Sequence, residues 1–231
     1  MKEIMKFRIT LVLLIYATMS LSFVQDYIAP STKFNLTSWK LQIPGPIEIK
    51  DLNGYASPYF YLTSEGFMHF HLDASEKGTT PNATHVRNEL RNLQNWKIVE
   101  THEFSGIIRV RCNINNFKVT IIQIKCVTDN DDSAPPFLRL AIEGKNLYAH
   151  LKENVNSNKA TKILLKSDVG SMFFSVNVKV KDKKLRISVD DSEVLSQDVS
   201  YWVLNNHFKM GCYPQQSDGV FDIDVKTMVV N

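Results

Sequence analysis

The stretch Phe117-Lys118-Val119-Thr120-Ile121-Ile122-Gln123-Ile124-Lys125-Cys126 decides how this chain is read. Ile122, Ile124 and Cys126 fall on one side of an extended backbone, and Gln123 and Lys125 fall on the other. Successive side chains of a strand point to opposite faces, so a period of two means one buried face and one polar face. The same alternation recurs on both sides. Upstream, Ile108, Val110 and Cys112 oppose Ile107, Arg109 and Arg111. Downstream, Leu138, Leu140 and Ile142 oppose Arg139 and Glu143, and Leu147, Ala149 and Leu151 oppose Tyr148, His150 and Lys152. Further rows are Phe174 to Val180, Leu185 to Val189 and Phe221 to Val229. Polar breaks separate them at 75–83, 113–116, 128–136, 154–162 and 215–219. No long segment has helical period. Short strands between polar turns predict an all-β sandwich or barrel.

The 231 residues suit one such domain. Their first part reads differently. Lys2, Lys6 and Arg8 precede an apolar run from Ile9 to Leu21, and Ser20-Leu21-Ser22 offers a small-x-small cleavage site. That pattern predicts a secretory signal peptide over 1–22 and a single domain over 23–231. The run is short for a membrane span, so no membrane association is expected after cleavage. The whole chain carries 27 Lys and Arg against 24 Asp and Glu, a net charge of +3. The leader takes three bases and one acid with it, which leaves +1. No global field then favours nucleic acid, and a polyanion must be met by a local basic cluster. Asn35-Leu36-Thr37 and Asn82-Ala83-Thr84 are N-glycosylation sequons, so Asn35 and Asn82 are candidate glycan sites. Cys112, Cys126 and Cys212 allow one disulfide in a secreted chain, with no pairing indicated. Each falls on the apolar face of its strand, as core thiols do.

The polar faces hold Arg87, Glu89, Arg91, Arg109, Arg111, Gln123, Lys125, Lys209, Tyr213 and Gln215. Side by side in one sheet, such residues would form an anion-binding groove, because guanidinium and amide groups match carboxylate geometry.

Three of these segments carry a resemblance. His85-Val86-Arg87-Asn88-Glu89-Leu90-Arg91 resembles the R-[ST]-E-L-R motif of the alginate lyases of polysaccharide lyase family 7. Gln123-Ile124-Lys125 resembles their Q-[IV]-H, and His207 to Gln215 resembles their Y-F-K-x-G-x-Y-x-Q. Trp39 to Pro44, Tyr59-Phe60-Tyr61 and Gly78 to Asn82 look like further landmarks in the same order, so the resemblance covers nearly the whole mature chain. It implies a β-jelly-roll sandwich of two antiparallel sheets with a concave substrate-binding face. It also implies β-elimination on an acidic polysaccharide without metal or organic cofactor. In that chemistry a base removes the C5 proton of a uronate, donors neutralise its carboxylate, and an acid protonates the departing O4. Carried over by position, Arg87 and Gln123 hold the carboxylate and Tyr213 is the acid, with the base role open to it. Arg91, Lys209 and Gln215 line the groove, and Glu89 orients the arginines. Arg109 and Arg111 are further substrate-binding candidates.

The departures from the pattern shape the expectation. Lys125 stands where the family has His, Asn88 where it has Ser or Thr, and His207 where it has Tyr. Lys125 is open to three readings: a cation for the carboxylate, a base of lowered pKa, or the mark of a site that kept binding and lost cleavage. The first is preferred. Guluronate carries its C5 proton and O4 anti, whereas mannuronate and glucuronate carry them syn. A site with Tyr213 and no histidine base therefore fits mannuronate- or glucuronate-type polymers. A monomer with an open cleft is expected. The rival reading is a non-catalytic protein that binds an acidic glycan or carboxylate in the same groove. A hydrolase would need two positioned carboxylates, and the motifs hold only Glu89. His69-Phe70-His71 places two imidazoles on one face, half of a zinc site, but no third ligand is evident nearby. Hydrogen-bonded histidines are the expectation there. His85 and His150 are without a spacing argument, and no nucleophile elbow or phosphate-binding loop is present.

Overall fold

A computed structural model describes residues 27–78, 84–128, 130, 133–157 and 159–231. The predicted leader and Asn82 lie outside these residues. The described residues contain one short 3-10 turn at Pro30–Thr32 and fifteen strands, with no α-helix among them. In chain order the strands are β1 (Trp39–Ile43), β2 (Ile47–Ile49), β3 (Phe60–Leu62), β4 (Met68–Asp73) and β5 (Asn88–Asn92). Next come β6 (His102–Cys112), β7 (Lys118–Val127), β8 (Ser133–Glu143), β9 (Asn146–Lys152) and β10 (Ala160–Lys166). The last five are β11 (Phe174–Lys181), β12 (Lys184–Val189), β13 (Ser192–Asp198), β14 (Asn205–Pro214) and β15 (Val220–Val230).

Two antiparallel sheets result. One has eight strands in the order β10-β9-β8-β7-β14-β5-β1-β2, and the other has seven in the order β13-β12-β11-β6-β15-β4-β3. Neighbours distant in sequence, such as β14 between β5 and β7, make this a jelly roll rather than a meander. The alternation seen in the sequence decides which face of each strand is inside. Leu41, Leu90, Ile122, Ile124, Leu138, Leu140, Phe208 and Met210 of the eight-stranded sheet are fully buried. They meet Phe60, Phe70, Phe104, Ile108, Phe221 and Ile223 of the other, also fully buried. Phe104 and Phe208 touch across the sandwich with ring centroids 5.9 Å apart, and Phe117 meets Phe221 edge-on at 5.7 Å. Each such ring contributes about 1.5–3 kcal/mol by leaving water.

Local chemistry explains the turns. The β11–β12 and β12–β13 hairpins each turn on two residues of positive φ, Asp182-Lys183 and Asp190-Asp191. This is the type I′ geometry whose twist matches the flanking strands. Two expectations need correction. The alternation along β15 does not run unbroken to Val229: the ladder with β6 slips between Val225 and Thr227, so Met228 and Val230 turn inward instead. Lys152 was expected on a polar face but is buried, with its ammonium donating to the Ser157 carbonyl. All three cysteines are free thiols. Cys126 and Cys212 are buried, and burial pushes the Cys126 thiol up to about 12. They are core groups of low reactivity.

Candidate active site

The three motif segments become neighbours through register. On the outer face of the eight-stranded sheet, Lys209 of β14 lies opposite Arg91 of β5 on one side and Gln123 of β7 on the other. The carboxylate of Glu89 gathers them. It accepts from Gln123 Nε2 at 2.5 Å and from Lys209 Nζ at 2.7 Å, and Arg87 Nη1 stands 3.5 Å away. Lys209 Nζ also donates to Gln42 Oε1 at 2.9 Å. Glu89 is fully buried, which by itself would raise its pKa, but the Lys209 and Arg87 cations outweigh burial and hold it below the ordinary value. A buried carboxylate is sustainable only with such partners. The orienting role expected of Glu89 thus acts on Lys209, Gln123 and Arg87. Arg91 turns elsewhere, donating from Nε to His207 Nε2 at 3.2 Å.

Arg87 and Tyr213 form the second layer. The guanidinium carbon of Arg87 sits 4.4 Å from the centre of the Tyr213 ring, a cation–π contact. Arg87 Nε is buried with no hydrogen-bond partner, a donor without an acceptor. Backbone geometry at Gly211 brings Tyr213 there. Between the pairs Met210–Ile122 and Tyr213–Thr120, two residues of β14, Gly211 and Cys212, lie beside one of β7, Ile121. Gly211 has φ +144°, and a Cβ on it would lie 2.4 Å from the Asn88 carbonyl oxygen. Only glycine lets β14 come this close to β5. Beyond Tyr213, Gln215 Oε1 accepts from Arg139 Nη1 at 2.7 Å.

Lys125 and His207 are cross-strand partners. Burial and the nearby Lys209 lower Lys125 to about 8, and its ammonium donates to the Ala134 carbonyl. An imidazole therefore stands directly opposite position 125. His207 is nevertheless unsuited to taking a proton. Burial, then Arg91, Lys209 and Lys125, push it down to about 2, so it stays neutral. With Nε2 accepting from Arg91, its proton sits on Nδ1, which is buried without a partner.

The register extends this group into a row. Lys40, Arg91, Lys209, Gln123, Arg139, His150 and Lys162 are successive partners on β1, β5, β14, β7, β8, β9 and β10. At ~4.8 Å between strands the row spans roughly 29 Å. It supplies the local basic cluster that a net charge near zero requires. Lys40, Arg139 and Lys162 of the row, and Gln42 beside Lys209, were not singled out as site residues in the sequence, because their place here rests on pairing between distant strands. His150 belongs to the row, hydrogen-bonded to Glu143 at 2.7 Å, but stands two strands from Gln123. Arg109 and Arg111 do not join it. They lie on β6 in the other sheet, where both donate to Asp224. Their alternation matched that of Arg87 and Arg91, but alternation specifies a face and not a sheet. Asn35 is exposed, and its side-chain oxygen accepts from Thr37 Oγ1 at 2.8 Å. Among the described residues, no cluster of metal-ligating side chains lies on this face.

Comparison with known proteins places the fold. Alginate lyase A1-II', a member of polysaccharide lyase family 7, aligns over 88% of this chain and 98% of its own, with a TM-score of 0.80 and 25% identity. Alginate lyase AlyC3 in complex with dimannuronate aligns over 89% and 94%, with a TM-score of 0.75 and 20% identity. An alginate lyase from Pseudomonas aeruginosa aligns over 85% and 98%, with a TM-score of 0.76 and 22% identity. Among curated proteins nothing matches. The sequence family described as alginate lyase matches residues 34–228, a span that contains every residue of the Glu89 network and of the cross-sheet row, and the chain therefore belongs to the alginate lyase family.

Proposed function

We propose that this chain is a secreted polysaccharide lyase that cleaves a mannuronate- or glucuronate-type polymer by β-elimination. The observation that carries the reading is the Arg87–Tyr213 contact above the Glu89–Gln123–Lys209 network. A uronate carboxylate would meet the accessible edge of the Arg87 side chain, which is 13% exposed, and the second amide hydrogen of Gln123 would share the load. Both donors are fixed in advance by Glu89, which is what stabilisation of an enolate-like intermediate needs. Tyr213 protonates the departing O4. Lys125 serves as an additional cation for the carboxylate, charged at neutral pH because its pKa of about 8 lies above it.

The substrate preference follows from the proton donors and acceptors at hand. His207 is too deeply buried, and too close to the Arg91 and Lys209 cations, to act as a base, so Tyr213 is left to work on both sides of the step. One residue can do so only when the C5 proton and O4 are syn, as in mannuronate and glucuronate. That AlyC3 was solved with dimannuronate is consistent with this choice. The basic row gives a polyanion a track across the sheet, and the apolar leader supports secretion. Lys125 also favours a second reading, a protein that binds acidic glycans without cleaving them.

Absorbance of the new C4=C5 double bond on polymannuronate, polyguluronate and glucuronan is the test. A rise on a syn polymer, lost in Tyr213→Phe with binding kept, is expected. Cleavage confined to polyguluronate would overturn the substrate assignment. Binding to the polymers with no absorbance rise on any of them would establish the second reading.

A further inference from the structure

The seven-stranded sheet carries a separate cluster on its outer face. His69 and His71 of β4 stand directly opposite Asp224 and Asp222 of β15. His71 Nδ1 is 2.8 Å and His69 Nε2 is 3.2 Å from Asp222 Oδ1, and one ligand atom from each of the three residues lies within 4.8 Å of the other two. Four ligands at about 2.0–2.2 Å from a tetrahedral zinc are about 3.3–3.6 Å from one another, so only small adjustments separate these atoms from such a set. Asp222 supplies the third ligand that the His-x-His pair lacks in sequence, 151 residues downstream of His71.

The surroundings resemble the support that metal-binding histidines receive. His69 Nδ1 lies 2.7 Å from Asp224 Oδ1, a contact that fixes the ring with Nε2 turned toward Asp222, where zinc would take the place of the proton held between Nε2 and the Asp222 carboxylate. Asp224 is itself held by Arg109 Nε at 2.9 Å, Arg109 Nη2 at 2.7 Å and Arg111 Nη1 at 2.5 Å. Tyr61 packs on the His69 ring at 4.6 Å. The inner ligand is rigid and buried. The outer two, His71 and Asp222, have side chains 41% and 33% exposed, which leaves room for them to adjust and for a water in the fourth position.

We propose that His69, His71 and Asp222 form a zinc site with three protein ligands and one open position, on the sheet opposite the polysaccharide face. The two guanidinium groups beyond Asp224 make the site weaker than a closed structural one. It is independent of the lyase reading.

Metal-free full chain is titrated with zinc chloride by calorimetry and by thermal unfolding. One equivalent is expected to bind and to raise Tm. His71→Ala and Asp222→Asn, at half-exposed positions that the core does not need, are each expected to weaken binding by about tenfold or more. Cys112→Ser is expected to bind as the parent does. Absence of binding by the parent, unchanged binding in both ligand variants, or loss of binding in Cys112→Ser would each overturn the site. Absorbance on polyuronates is followed in parallel, and the proposal expects it to be retained in His71→Ala.

Discussion

Lys209 Nζ lies 2.7 Å from Glu89 Oε2 in a setting where both side chains are shut away from water. Taking either charge alone would leave the other stranded. Glu89→Gln is expected to cost about 3–5 kcal/mol in chemical denaturation, since it uncovers both Lys209 and Arg87. Because the folded Glu89 titrates below its unfolded value, its stabilisation is present above about pH 4.3 and is lost as pH falls through the lowered value. The variant is therefore expected to lose part of the acid sensitivity of the parent. An unchanged denaturation midpoint would show that the pair is not the anchor of this network.

Lys125 gives a pH prediction with a definite sign. Folded, it titrates at about 8, against about 10.4 unperturbed. As a cation for the substrate carboxylate it works below about 8, so kcat/KM is expected to fall as pH rises through that value. Lys125→Arg keeps its charge throughout and should flatten this alkaline limb. A rate that instead rises through pH 8 would make Lys125 the base. Stability moves the other way: the unfolded chain binds the proton more tightly, so this residue's contribution rises between about pH 8 and about pH 10.4.

Gly211→Ala should damage the site from the backbone. The added Cβ meets the Asn88 carbonyl at 2.4 Å and Glu89 Cα at 2.8 Å, both main-chain atoms that belong to β5. A loss of about 1–3 kcal/mol is expected from the strained φ together with the clash, read in thermal unfolding. Activity should fall further than stability explains, because Tyr213 and Glu89 flank the contact.

The outlying cations of the row should matter for binding more than for chemistry. Lys40→Ala and Lys162→Ala are each expected to weaken polyuronate binding by no more than about fivefold, as solvent-accessible ion pairs do. The effect should shrink with added salt. A large loss of kcat in either variant would move the reacting sugar away from Tyr213.

The period-2 rows named the core side of nearly every strand, because burial and alternation are one physical fact. They were silent on pairing. Arg109 and Arg91 look alike along the chain, yet β6 and β5 enter different sheets. Arg139 joined the site through its pairing with Gln123, and His207 proved to be the neighbour of Lys125. His69 and His71 met their carboxylate partner across 151 residues or more. Arg87, Glu89, Gln123 and Tyr213, from three separate motifs, come together because β5, β14 and β7 are neighbouring strands. The proton balance of His207 and Lys125 was hidden in the sequence, since it is set first by burial and then by cations gathered through strand pairing.

The row from Lys40 to Lys162 takes one residue from each of seven strands. A polymer lying along it would run across the sheet, reading a different strand at every step rather than following one. Length preference and sugar preference at the two ends then become separable properties. On the proposed function, an exchange on β9 or β10 would alter what is gripped far from the cut, and an exchange on β1 would alter the other flank. Neither disturbs the glycine-bent strand that holds Tyr213. The sheet is thus built so that specificity can drift strand by strand while the chemistry stays where it is.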